Sequence, residues 1–132
     1  MPNGPVPEPY RDLLASTALG HLATIGRDGR PQVNPVWFIA DDGHVYLSVK
    51  AETVKYRNLR ANPRVAMSIA DPADRERYLE IRGEAVAFEL FDTLAWVNEL
   101  SRKYTGADYT RGADGEFRYK VTIRIDGWTA QG

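Results

Sequence analysis

Residues 19–50 read LGHLATIGRDGRPQVNPVWFIADDGHVYLSVK, and the punctuation of this stretch decides the fold. Apolar runs at 19–26, 31–40 and 44–50 are separated by Asp-Gly pairs at 28–29 and 42–43. Asp-Gly supplies residues that tolerate positive φ, the chemistry of a tight hairpin, so the stretch predicts a three-stranded antiparallel meander. Pro35 falls inside the middle run. It has no N–H to give to a sheet ladder and therefore marks an edge strand or a bulge. Backbone groups beside it are then left for a ligand, and a flat heteroaromatic ring with alternating donors and acceptors suits such an edge. Trp37 or Phe38 walls that pocket, unless both are simply core aromatics of an edge strand.

Outward from the meander, EPYRDLLAST spaces Tyr10, Leu13 and Leu14 for a short helix near residues 8–17. On the other side, ETVKYRNLRAN predicts a helix over 53–62, with Thr53 as N-cap and Asn62-Pro63 as the stop. RVAMSIA (64–70) is a fourth strand, and YLEIRGEAVAFE (78–89) a long fifth with Gly83 as a bulge or bend. LFDTLAWVNELSRKY (90–104) places Leu90, Leu94, Val97, Leu100 and Tyr104 on one helical stripe. Asp92 near its start and Arg102 and Lys103 near its end suit the helix dipole. TGADYTRGADGE is a loop; FRYKVTIRID (117–126) is a sixth strand, with Trp128 just beyond it. Six antiparallel strands in one small domain close into a barrel, which removes exposed edges, with the helices packed outside.

Composition narrows the chemistry. The 132 residues contain no cysteine, which excludes disulfides, thiolate catalysis and zinc–thiolate sites. No run approaches the ~18 apolar residues of a membrane span. MPNGPVPEPY lacks a signal pattern, so a cytoplasmic protein with a loose segment over residues 1–9 and one domain over 10–132 is expected. His21 and His44 have no second ligand at metal spacing, so no metal site is expected. Ser16, Ser48, Ser68 and Ser101 lie outside any nucleophile elbow, and no Walker or dinucleotide fingerprint occurs. An enzyme of this composition draws its reactive atom from a bound cofactor.

One segment departs from the chain's balanced charge. Between residues 50 and 64, Lys50, Lys55, Arg57, Arg60 and Arg64 face the single Glu52, in a chain of net charge −1. Lys55 falls in the first turn of the predicted helix, where the dipole disfavours a cation. An anion at the helix end reverses that: Lys55, the unbonded amides and the Thr53 hydroxyl then converge on one phosphate. Lys55 and Asn58 share a face while Leu59 turns to the core. The alternative is a solvated basic surface with Arg57 and Arg60 facing water.

With these residues in place, HLATIGRDGRPQVNPVWFIADDGHVYLSV, TVKYRNLRANPRVAMSI and YLEIRGEA resemble the pyridoxamine 5′-phosphate oxidase-like split-barrel superfamily, over about residues 10–126. Within it the chain resembles the B group of flavin/deazaflavin oxidoreductases, which use coenzyme F420; FMN-dependent members share the same motifs. The resemblance implies a mainly β fold, a homodimer of six-stranded split barrels with cofactor sites at the interface. It implies that Lys55 binds the cofactor phosphate with Asn58 beside it; from the basic stretch itself, Arg60 is a further candidate contact. It also implies that Val33, Asn34, Pro35, Val36 and Trp37 line the ring, largely through backbone groups, with Ser48 and Val49 adjacent. Many members carry Arg where this chain has Thr53, which leaves open whether Lys50 or Arg57 compensates. The implied activity is hydride transfer from reduced F420 to an enone, quinone or tetrapyrrole. Tyr78, Tyr104 and Tyr109 are candidates for substrate contact, as is Arg82, the last offered from the partner subunit. Rival readings are an FMN-dependent oxidase or reductase, a non-catalytic flavin or haem carrier, and an oligonucleotide-binding barrel. The overall acidity counts against the last, and neither nucleic acid nor membrane is expected as a partner.

Overall fold

The strand expected over 31–40 breaks at Trp37, and that break organises the molecule. In the computed structural model, which describes residues 3–91, 93–109 and 118–132, β1 (Gly20–Ile25) is followed by β2 (Pro31–Val36) and β3 (Phe38–Ala40). Then come β4 (His44–Lys50), α2 (Val54–Ala61), β5 (Arg64–Ala70), β6 (Tyr78–Phe91), α3 (Ala95–Thr105) and β7 (Arg118–Gln131). A 3-10 turn (Glu8–Tyr10) and α1 (Arg11–Ala15) precede them. The seven strands form one antiparallel sheet in the order β2-β1-β5-β6-β7-β4-β3. Its two edge strands, β2 and β3, are thus consecutive in sequence with only Trp37 between them. The sheet has to curl until its edges nearly meet, which makes it a split barrel with helices outside. Seven strands replace the expected six because the closing strand changes edges at Trp37.

Alternation fills the interior. β1, β4 and β5 each bury every second residue. Leu22, Phe38, Leu47, Met67, Ile69, Leu79, Ile81 and Ile123 are almost wholly enclosed. Leu59 joins them from α2, and Leu13 and Leu14 from α1. Both hairpins form, by different means. Gly29 adopts φ 81°, as expected of Asp-Gly. The 41–43 turn needs no positive φ, because the Asp41 carboxylate accepts the amides of Gly43 and His44 at 3.0 and 2.8 Å.

Three boundaries move. β6 runs on through Phe91, so Leu90 lies in a strand and is half exposed instead of opening the helical stripe. The helix begins at Ala95 and buries Trp96, Val97, Leu100 and Ser101; the expected Asp92 lies outside the described residues. β7 continues to Gln131, which places Trp128 inside the strand opposite Ile81. The amino terminus, expected to be loose through residue 9, is paired to the sheet from Asn3, which bridges to Gly127, and Val6 is 1% exposed. No helix among the described residues is long and apolar enough to cross a membrane.

The irregularity expected at Gly83 is present, but the extra residue there is Asp126 of β7, on the strand opposite Gly83. The β6–β7 register shifts between Arg82 and Gly83 and again between Ala85 and Ala87. A Cβ on Gly83 falls 1.8 Å from the Arg124 carbonyl oxygen, a backbone atom that cannot swing aside. Gly83→Ala is therefore expected to destabilise the fold by at least about 2 kcal/mol, measured by urea denaturation. A change smaller than ~0.5 kcal/mol would show that the two longest strands are not packed this closely.

Candidate functional site

A three-residue turn sets the site. β4 ends at Lys50, Glu52 takes φ 67°, and α2 begins at Val54. Glu52 is the one non-glycine residue with positive φ among the described residues. The Thr53 hydroxyl donates to the Lys50 carbonyl at 2.9 Å and accepts the Tyr56 amide at 3.2 Å, so it caps α2 as expected. The first intrahelical bond runs from the Arg57 amide to the Thr53 carbonyl, which leaves the Val54 and Lys55 amides without helix partners.

Beside this helix end opens a cleft of about 670 Å³, within the range of small-molecule and cofactor sites. Lys55, Ser48, Pro35, Val36 and Trp37 line it from one side. Val97, Leu100, Ser101 and Thr105 of α3, Ala107–Tyr109 after it and Arg118 of β7 complete the lining. The Lys55 ammonium is half-buried and has neither ion pair nor hydrogen bond among the described residues, and burial depresses its pKa. Ser48 Oγ is buried with no hydrogen-bond partner among the described residues. A cation without a bonded counter-charge and an unpaired hydroxyl in one cleft are groups able to bind a polar ligand.

The aromatic wall is built from behind. Trp37 stacks on Tyr104 with centroids 5.3 Å apart and planes within 5°, and meets Tyr109 edge-on at 6.5 Å. Tyr109 lines the cleft; its hydroxyl accepts Arg118 Nη2 at 3.1 Å and its amide donates to Asn98 Oδ1 at 2.9 Å. Trp96 Nε1 donates to the Leu47 carbonyl at 3.2 Å, fastening α3 to β4.

The sequence-derived candidates thus divide. Lys55, Ser48, Pro35, Val36, Trp37 and Tyr109 converge on the cleft. Asn58 does not share the Lys55 side: it is 7% exposed and donates to Thr24 Oγ1 at 3.1 Å, pinning α2 to β1. Thr53 is occupied as a cap. Arg60 lies 3.9 Å over the Phe88 ring and donates to the Tyr56 hydroxyl at 3.1 Å. Val49 is core, Phe38 is wholly buried, and Val33 and Asn34 do not reach the cleft lining. Tyr104 stands behind Trp37. Tyr78 lies in β6 opposite Ala70, and Arg82 pairs with Glu80 at 3.2 Å; neither lines the cleft. No cluster of three metal-ligating side chains occurs among the described residues. Sequence reasoning missed the wall from α3 and Arg118. The stripe Val97–Leu100 reads as ordinary core, and Arg118 is one basic residue in a strand far along the chain.

The family model for pyridoxamine 5′-phosphate oxidase matches residues 6–126. Among solved structures, the chain is similar to an F420 reductase, with 39% identity and a TM-score of 0.88, over 94% of this chain and 98% of that one. A conserved hypothetical protein from Mycobacterium tuberculosis shares 27% identity at a TM-score of 0.57, over 87% and 81% of the two chains. HupZ from group A Streptococcus, 16% identical, shares the fold at a TM-score of 0.65, over 95% and 93%. No curated protein matches the chain.

Because Glu52 turns the chain into α2 through left-handed backbone, Glu52→Gly is expected to stabilise the protein by about 1 kcal/mol and Glu52→Val to destabilise it by a similar amount. Chemical denaturation of the two variants checks this. Equal stabilities would place residue 52 in ordinary backbone.

Proposed function

The chain belongs to the pyridoxamine 5′-phosphate oxidase family, and from that premise we propose that it is an F420-dependent reductase acting on a small conjugated acceptor of enone, quinone or tetrapyrrole type. The observation that carries the proposal is Lys55: a half-buried cation without a partner among the described residues, in the first turn of α2, on the wall of a cleft of cofactor size. The similarity to an F420 reductase over nearly the whole of both chains supports the choice of deazaflavin over FMN.

The residues present fit such a group. Lys55 and the Val54 and Lys55 amides hold a phosphate at the helix end, where dipole and side chain act together. The Pro35–Trp37 edge offers backbone groups and an indole face to a flat ring, and Ser48 Oγ offers one donor and one acceptor. When bound, reduced deazaflavin supplies the hydride that the acceptor takes up. Trp37 and the apolar Val97 and Leu100 keep water from the ring side of the cleft. Tyr109, held by Arg118, offers an ordered hydroxyl to the acceptor, and solvent supplies the proton.

The reading extends to a homodimer with two such clefts at its interface. Val33, Val54 and Leu90, large apolar residues left about half exposed on one protomer, support it. In that assembly Arg82 serves the neighbouring protomer's cleft. A dimer mass by light scattering is expected, and a monomer at micromolar concentration would exclude it.

Fluorescence titration with F420 and FMN tests the cofactor. F420 is expected to bind with Kd below about 100 μM and more tightly than FMN. Tighter FMN binding favours an FMN-dependent enzyme, and failure of both sinks the proposal. Cofactor binding without turnover across an enone, quinone and tetrapyrrole panel favours a carrier. Lys55→Met is expected to weaken F420 at least tenfold, since a charge-assisted bond is lost, while leaving thermal stability equal or higher, since an uncompensated ammonium is removed. An unchanged Kd would rule Lys55 out as the anchor.

A further inference from the structure

The break between β2 and β3 creates a backbone problem that α3 solves. β3 pairs only with β4, so its outer edge has no ladder partner. Phe38, the first residue after the break, has both backbone groups on that edge. Its amide donates to the Tyr104 hydroxyl at 3.2 Å, and its carbonyl accepts Lys103 Nζ at 2.6 Å. The Tyr104 hydroxyl in turn donates to the Ala18 carbonyl at 3.0 Å, just before β1. Two adjacent side chains of one helix therefore do what a neighbouring strand does elsewhere.

These side chains also fix the rings. The Lys103 ammonium sits 4.1 Å from the Phe38 ring centroid and 4.9 Å from that of Tyr104. The Tyr104 ring backs Trp37 in a nearly parallel stack. Lys103 has no carboxylate partner among the described residues, and burial pushes its pKa down to about 8. A desolvated lysine spent on a carbonyl and two aromatic faces is a costly choice for mere packing, because a methionine fills the same volume without a charge.

We propose that Lys103 and Tyr104 form a positioning clamp: they hold Phe38 at the open edge of the barrel and thereby fix the indole plane of Trp37 as the cleft wall against which the bound ring lies. Neither residue lines the cleft itself. Both act through Trp37, so their effect on binding depends on that indole. The ring-binding half of this inference rests on the proposed cofactor reading; the effect on Trp37 does not.

The test compares Lys103→Met, Lys103→Arg and Tyr104→Phe, the last of which keeps the stacking ring but loses both hydroxyl bonds. Dissociation constants for F420 and FMN are measured in the native chain and in a Trp37→Phe background. Lys103→Met and Tyr104→Phe are each expected to raise Kd for the bound cofactor by about three- to tenfold. Lys103→Arg, which keeps the charge on a larger planar head, is expected to raise Kd less than Lys103→Met. In the Trp37→Phe background the clamp substitutions are expected to lose most of their effect, which a general loss of stability does not predict. Unchanged Kd values, or equal weakening with and without Trp37, would overturn the clamp.

If the native chain binds neither cofactor, the functional proposal fails and Trp37 itself reports on the clamp. In a Trp128→Phe chain, where the remaining Trp96 is 2% exposed and shielded from quencher, acrylamide quenching follows Trp37. Lys103→Met and Tyr104→Phe are expected to increase that quenching at least twofold, and unchanged quenching overturns the clamp independently of any ligand.

Discussion

One residue, Trp37, has to span the gap between the two edges of the sheet. Consecutive Cα atoms lie about 3.8 Å apart, so a chain that leaves β2 on one edge and enters β3 on the other forces a seven-stranded sheet to roll up. The rest follows from that closure. Rolling up gives the alternating strands an inside, where Phe38, Leu47, Met67 and Ile123 meet. The bulges at Asp126, across from Gly83, and at Val86 let the long β6–β7 pair bend enough to make the turn. Closure is incomplete at the seam, and α3 lies against it, which is why the cleft opens there.

The electrostatics of the cleft follow from the same geometry. The left-handed turn at Glu52 brings the start of α2 beside the end of β4. Lys55 thus enters a cleft whose described lining offers it no bonded counter-charge, although Asp108 stands elsewhere in that lining, paired to Arg102 at 2.6 Å. The other cations of the basic segment are accounted for differently. Arg60 is spread over aromatic faces, and Lys50, Arg57 and Arg64 lie exposed. Of a run that looks uniform as charge, one lysine is turned inward.

Much of this was legible in the residues. Asp-Gly turns, the Thr53 cap and the Asn62-Pro63 stop are local signals, and each acts locally in the structure; Gly83 is legible as a residue type, though what it accommodates is the Arg124 carbonyl of β7. The place of Lys55 was legible for the same local reason, since it falls in the first turn of a helix whose cap is Thr53, five residues past the end of β4. Other features depend on contacts between distant residues, which no local pattern carries. The break at Trp37 is a property of the closed barrel. Asn58 turns inward because Thr24 lies beneath it, and Arg60 finds Phe88 and Tyr119 only once β6 and β7 pair. The α3 wall carries the periodicity of an ordinary amphipathic helix, and nothing in that period distinguishes a residue facing a core from one facing a ligand.

The central claim is that the end of α2 is an anion site and the Trp37 edge a ring site, joined in one cleft. A crystal structure of the F420 complex tests it most directly. The account predicts a phosphate oxygen within about 3 Å of Lys55 Nζ and of the α2 amides, with the tricyclic ring against the Pro35–Trp37 edge. A phosphate held at Arg57 or Arg60, with Lys55 still bare, would contradict it.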